Sequence, residues 1–134
     1  DVRIVSAHRT PAAAEALSKN AAADGYGVII AAAGKAAHLG GVLAAYTTLP
    51  VIGVPMATSV MGGMDSLLSI VQMPKGIPVA TVALNGAKNA AWLAAEILAL
   101  SDDELAERLE KERVAMAEQI AVKEQKLQKE IEEL

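Results

Sequence analysis

Val2-Arg3-Ile4-Val5-Ser6-Ala7-His8-Arg9-Thr10-Pro11 is a strand-like apolar run that hands over to the start of a helix. Pro11 suits the first helical position, where a missing N–H costs nothing, and the Thr10 hydroxyl is placed to cap the helix. The handover sets the His8 imidazole beside the Arg9 guanidinium at a helix N-terminus with unpaired N–H groups. A proton carrier, a fixed positive charge and those donors suit a small anion, with phosphate the foremost candidate.

The same alternation runs along the chain. Apolar runs at 28–33, 51–54 and 79–84 follow the one at 2–5, and none alternates cleanly, which predicts strands buried on both faces. Alanine- and leucine-rich stretches of helix length lie between and after them, at about 11–23, 36–46, 63–72 and 87–99. Gly25, Pro50, Pro55 and Pro78 punctuate the joins. Strand alternating with helix predicts an α/β domain, a parallel sheet covered on both sides in three layers, αβα.

The 134 residues are 53% hydrophobic, but alanine dominates and the aromatics are Trp92, Tyr26 and Tyr46. Small side chains let helices approach a sheet closely and supply few large anchors, so subunit association is an expected route to further burial. Few aromatics argue against single-stranded nucleic acid, whose binding leans on stacking platforms. A net charge of −4 offers a polyanion no attraction. The absence of cysteine excludes disulfides and thiolate metal sites and fits a reducing compartment. No apolar run approaches the roughly 20 residues that span a bilayer, and no basic-then-apolar leader is visible. The expectation is a soluble, cytoplasmic chain with neither a membrane nor a nucleic-acid partner. Its start at Asp1 rather than Met fits a fragment of a longer polypeptide.

The charge imbalance is local: residues 1–100 carry a net +1 and residues 101–134 a net −5. From Ser101 the chain is highly charged, lacks Gly and Pro, and opens with a capping pair, Ser101 and Glu104. Leu105, Leu109, Met116, Ile120, Leu127 and Ile131 follow at spacings 4, 7, 4, 7, 4. An eleven-residue repeat keeps an apolar stripe nearly straight along a helix, at about 3.67 residues per turn. Roughly 30 residues of helix reach about 45 Å, longer than a compact body of this size is wide. We therefore expect two parts: an α/β domain over 1–100 and, over 101–134, a helical arm packed on a neighbouring subunit, with a frayed, solvated charged tail as the plain alternative.

Ligands of open parallel sheets bind outside the carboxyl ends of the strands. The inventory there is short: Ser6, His8 and Arg9, then Gly34, Lys35 and His38, then Thr58 and Ser59, then Asn85 and Gly86. Two histidines without a companion Asp or Glu at ligand spacing make a poor metal site. No serine sits in a strained elbow motif that would make it a nucleophile. Gly34-Lys35 resembles a piece of a phosphate loop, but the full G-x-x-x-x-G-K-[ST] pattern is absent, so ATP is not supported. Each residue also has a plain reading: His8 as a helix-start side chain bonded to backbone, His38 as a structural histidine, Lys35 as a solvated charge.

Four segments carry a resemblance to a known family: Ser6-Ala7-His8-Arg9-Thr10-Pro11; Ala33-Gly34-Lys35-Ala36-Ala37-His38-Leu39-Gly40-Gly41; Met64-Asp65-Ser66-Leu67-Leu68-Ser69-Ile70-Val71-Gln72-Met73-Pro74; and Asn85-Gly86-Ala87-Lys88-Asn89-Ala90-Ala91. Over residues 1–100 the chain resembles the bacterial-type (class I, PurE) N5-carboxyaminoimidazole ribonucleotide mutases of purine biosynthesis. The resemblance implies a flavodoxin-like fold, a ribonucleotide substrate, and an isomerisation without ATP, metal or organic cofactor. A carboxylate leaves the exocyclic nitrogen of an aminoimidazole ribonucleotide as carbon dioxide, is trapped, and rejoins at ring carbon 4. Histidine suits the accompanying proton transfers because its ordinary pKa of about 6.5 lets it give and take a proton near neutrality.

On that likeness His8 is the general acid/base, Arg9 holds the 5′-phosphate, and Ser6 and Ala7 line the pocket. The loop Gly34, Lys35, Ala36, His38 and Leu39 closes over the imidazole and carboxylate, with His38 a supporting contact. Lys35, where the family commonly has glycine, is a candidate partner for a substrate carboxylate, and Gly40-Gly41 replaces a glycine-proline pair. The long last helix also resembles the family's, and that resemblance implies a homo-octamer. The family also begins with a further strand and a phosphate-contacting loop that nothing in this chain matches. That strand belongs between the first two strands here, so its absence predicts a gap in the sheet with unpaired backbone on both sides. The natural polypeptide is then longer, or the gap is filled otherwise, and these residues alone turn over little substrate. Two other readings stay open: a direct or related nucleotide carboxylase, and a truncated, non-catalytic module that still assembles through its arms.

Overall fold

The computed structural model describes residues 1–133. The chain divides into a first unit, Asp1–Ile97, and a second that begins at Leu98. In the first, strands β1 (Ile29–Ala33), β2 (Val51–Pro55) and β3 (Ala80–Thr81) alternate with helices α1 (Pro11–Asn20), α2 (Leu39–Ala45) and α3 (Met64–Val71). Helix α4 (Ala87–Leu98) follows β3. The sheet is parallel, in the order β1-β2-β3, with Ile29 opposite Val51 and Ile52 opposite Ala80.

Small side chains make the layers. On one face Ala14 of α1, Ala31 of β1 and Leu43 of α2 form one cluster, and Ala44, Val51, Ile70 of α3 and Val79 form the next. On the other face Ala90 of α4 packs on Ile52 and Val54, with Val28, Val82 and Leu93 around them. Burying Ile52, Val54 and Ile70 is worth about 1.5–3 kcal/mol each. Helices on both faces of a parallel sheet make the expected three-layer αβα architecture. Gly53 lets α3 come close: a methyl there would overlap Ile70 Cγ2 and lie 2.9 Å from Val79 Cγ1. Gly53→Ala is therefore expected to destabilise the domain by about 1–3 kcal/mol, read as a lower urea midpoint at unchanged m-value. An unchanged midpoint would mean that α3 is free to retreat.

Buried hydroxyls tie the layers. Ser18 donates to Leu43 O at 2.6 Å, joining α1 to α2, and Ser66 donates to Met56 O at 2.6 Å, joining α3 to the end of β2. On the exposed side of α1 the Glu15 carboxylate holds Lys19 one turn on, and this hydrogen bond raises the ammonium's pKa above its ordinary value.

Three expectations are corrected. The run 2–5 is extended but joins no sheet, and Val2 and Ile4 are fully solvated, because a strand needs a hydrogen-bonded neighbour and none lies beside it. A cavity of about 790 Å3 lies between it and β1. β2 is buried on both faces, but β1 on one only. Ile30 and Ala32 are exposed, because the cluster under α4 draws on β2 and not on β1. The run 79–84 shortens to β3, since past Val82 the chain turns away through Asn85, held at φ 54°.

The caps also differ. Pro11 opens α1, but Thr10 makes no side-chain cap bond; its hydroxyl closes the preceding loop. In the second unit, helix α5 (Asp103–Glu132) is capped by Asp102, which accepts from Leu105 N at 2.9 Å. Ser101 instead lies in a 3-10 turn. Asp103 and Glu104 in the first turn and Lys129 in the last suit the helix dipole. The helix runs for 30 residues with none buried. Among the described residues no helix is long and apolar enough to cross a membrane.

Candidate active site

Residues 6–10 form a self-closed turn ahead of α1. Thr10 N donates to Ser6 O at 3.0 Å, Ser6 N donates to Thr10 Oγ1 at 2.8 Å, and Arg9 N donates to Ser6 Oγ at 3.1 Å. Ser6 and Thr10 spend their hydroxyls on the backbone, so His8 and Arg9 are the turn's free chemistry, and both are exposed. The second loop leaves β1 through Gly34 and reaches α2 at His38, whose N–H bonds Ala36 O at 2.9 Å. Lys35 is left-handed there, at φ 57°, and its carbonyl accepts from Ser69 Oγ at 3.4 Å.

These loops bring the two histidines together. His8 Nε2 lies 2.7 Å from His38 Nδ1, with the rings edge to face and their centres 4.8 Å apart. One of the facing nitrogens carries a proton and the other does not, so the contact couples the tautomers of the two rings. If His38 Nδ1 donates, His8 Nδ1 carries a proton that it can release, while His38 Nε2 is bare and can take one. The pair can thus accept at one end and donate at the other.

Around it the loops at the carboxyl ends of β2 and β3 interlock. Asn85 accepts from Ala57 N at 2.9 Å and its own N–H bonds Pro55 O at 2.8 Å. Thr58 Oγ1 stands 2.6 Å from Val60 O and 3.0 Å from Asp65 Oδ1. A side chain on Gly63, at φ 101°, would strike Leu84 Cδ2 at 2.6 Å. Sequence reasoning placed Thr58 and Asn85 at the sheet edge, but not as the braces that join these loops. The Asn85-Gly86 pair, a common left-handed turn signal, was the available clue.

Of the other residues singled out from sequence, Gly34, Lys35 and Ala36 lie exposed on the loop that carries His38. Ala7 is half-buried beside Ser6, and Leu39 turns inward onto the cluster of Ala14, Ala31 and Leu43. The closed pocket expected from the resemblance is not formed by the described residues of one copy: His8 and His38 are both open to solvent. Among the described residues no three His, Cys, Asp or Glu side chains are grouped to hold a metal ion.

A parallel αβα domain with paired histidines near the carboxyl ends of its strands defines a flavodoxin-like fold with two titratable side chains at the usual ligand edge. Residues 1–119 match the model of the AIR carboxylase family, and the chain belongs to that family. It is 58% identical to the N5-carboxyaminoimidazole ribonucleotide mutase of Brucella melitensis, over 90% of this chain and 76% of that protein. It is 52% identical to the enzyme of that name from Thermotoga maritima, over 96% and 75%. Against the chloroplastic phosphoribosylaminoimidazole carboxylase of Vigna aconitifolia it is 50% identical, over 96% of this chain and 23% of that protein.

Proposed function

We propose that this chain converts N5-carboxyaminoimidazole ribonucleotide to 4-carboxy-5-aminoimidazole ribonucleotide in purine biosynthesis, with His8 as general acid/base. The observation that carries this reading is the 2.7 Å contact of His8 with His38 at the sheet edge, in a chain whose relatives bear that activity's name. His8 gives a proton to the exocyclic nitrogen as carbon dioxide leaves it. After carbon dioxide rejoins at carbon 4, His8 takes the proton from that carbon, so the pair ends each turnover as it began. His38 holds the His8 tautomer. Arg9 pairs with the 5′-phosphate, where a guanidinium fork is favoured. Ser6 and Ala7 line the pocket, and Gly34, Lys35, Ala36 and Leu39 belong to the loop over the imidazole, with Lys35 facing the migrating carboxylate. No cofactor is needed, because the carboxyl group stays within the reacting pair.

The same proposal includes a cytoplasmic homo-octamer in which α5 lies on neighbouring subunits. An isolated 30-residue helix with no buried residue leaves its apolar stripe unused. Ultraviolet absorbance tests the activity by following carboxyaminoimidazole formation from the N-carboxylated nucleotide and, in parallel, from the uncarboxylated nucleotide with bicarbonate. Product from the first supports the proposal. Product only from the second assigns a direct carboxylase. Product from neither, with His8 and His38 ring NMR signals unmoved by nucleotide, leaves an assembly module.

A further inference from the structure

Asp65, Ser66 and Ser69 share one flank of α3, because Ser69 lies four residues beyond Asp65 and three beyond Ser66. That flank faces the loops at the carboxyl ends of two strands. Ser66 donates to Met56 O at 2.6 Å, and Asp65 Oδ1 stands 3.0 Å from Thr58 Oγ1. Both therefore hold the chain that leaves β2. Ser69 reaches further: its Oγ lies 2.7 Å from Asp65 O and 3.4 Å from Lys35 O, in the chain that leaves β1.

The loop from Gly34 to His38 needs such a hold. At its start Gly34 backs onto the β2 loop, where a methyl would lie 3.4 Å from Thr58 Cγ2 and 3.6 Å from Met56 Cβ. Near its end Ala37 is buried with Ala44, Val51, Ile70 and Val79, and His38 N donates to Ala36 O. Between these anchors Lys35 turns the corner at φ 57°, a left-handed conformation that a side chain disfavours. Such a conformation persists only where its surroundings hold it. The Ser69 hydroxyl is the group that meets the Lys35 carbonyl. A hydroxyl has one proton, so Ser69 divides it between two carbonyls, the nearer on its own helix and the farther on the loop. Should the corner relax to negative φ, the Lys35 peptide would swing and carry His38, three residues on, away from His8.

We propose that Ser69 is a positioning residue for the histidine pair. Its shared proton ties the left-handed corner at Lys35 to α3 and so sets where His38 meets His8. Ser69 acts through the loop backbone and touches neither ring. Its expected effect on turnover rests on the acid–base role given to His8; its effect on the rings does not.

The test compares Ser69→Ala and Ser69→Thr in the full chain. Alanine is the better helix former and the position is only half-buried, so Ser69→Ala should fold with an undiminished melting temperature. Expected in the nucleotide-free chain are shifted His8 and His38 ring NMR signals. Turnover should show kcat lowered about three- to tenfold, the weight of one hydrogen bond, at unchanged KM. Ser69→Thr keeps a hydroxyl that can bond the carbonyl one turn back, and should restore both the signals and the rate. In a His38→Asn background, Ser69→Ala should cost nothing more. Unmoved ring signals, no rescue by threonine, or a full further loss on top of His38→Asn each overturns the proposal. A lowered melting temperature with unmoved rings would make Ser69 a support of α3 alone. Shifted rings in a parent chain without turnover would uphold the positioning and reject the activity, so the two failures are told apart.

Discussion

His8→Asn is expected to lower kcat by about 10²–10⁴-fold, the usual contribution of a positioned general acid/base, while leaving the fold and the assembly intact. His8 is exposed and, among the described residues, its side chain bonds the exposed His38, so its loss opens no cavity and strands no buried polar group. Asparagine keeps a hydrogen-bonding side chain but cannot carry a proton between substrate atoms. His38→Asn should cost less, about tenfold, because His38 acts by fixing the His8 tautomer. The double variant should then be no slower than His8→Asn alone, as for residues that work as a unit. The checks are steady-state kinetics and the ring NMR signals, with His38→Asn moving those of His8 in the free chain. If His8→Asn keeps a tenth or more of the parent rate, or if the two losses multiply, the role given to the pair is wrong.

Ile120→Glu combined with Leu127→Glu is expected to dissolve the proposed octamer. Both positions lie on the apolar stripe of α5, and Ile120 is 63% and Leu127 49% exposed in a single copy. Covering such side chains is worth about 1.5–3 kcal/mol each, and burying a carboxylate instead carries a large cost. Sedimentation velocity should show the octamer replaced by smaller species, with helix content retained because neither site is interior. The melting temperature should also lose its dependence on protein concentration. An unaltered sedimentation coefficient would show that α5 does not hold neighbouring copies.

The arm and the body were legible in the sequence to different depths. The 4, 7, 4, 7, 4 spacing and the charge run define α5 because helix formation there depends on local pattern, and only the cap shifted, from Ser101 to Asp102. Both side chains can accept from a backbone N–H, and one residue of slip separates them. The strands were harder. A run such as 51–54 is buried whichever neighbours it has, so β2 was plain. Residues 2–5 have strand composition too, but a strand is completed by its neighbour, and composition cannot supply one.

The site divides along the same line. Sequence alone determined which side chains could do chemistry: two histidines, Arg9 and Lys35, all at strand ends, with no thiol and no metal set to compete. It also determined the order of elements, since apolar runs between helical stretches admit little else. Only the tertiary structure decided that His8 and His38, 30 residues apart, share a hydrogen bond, because that contact depends on where the turn ahead of α1 and the loop after β1 come to lie in space.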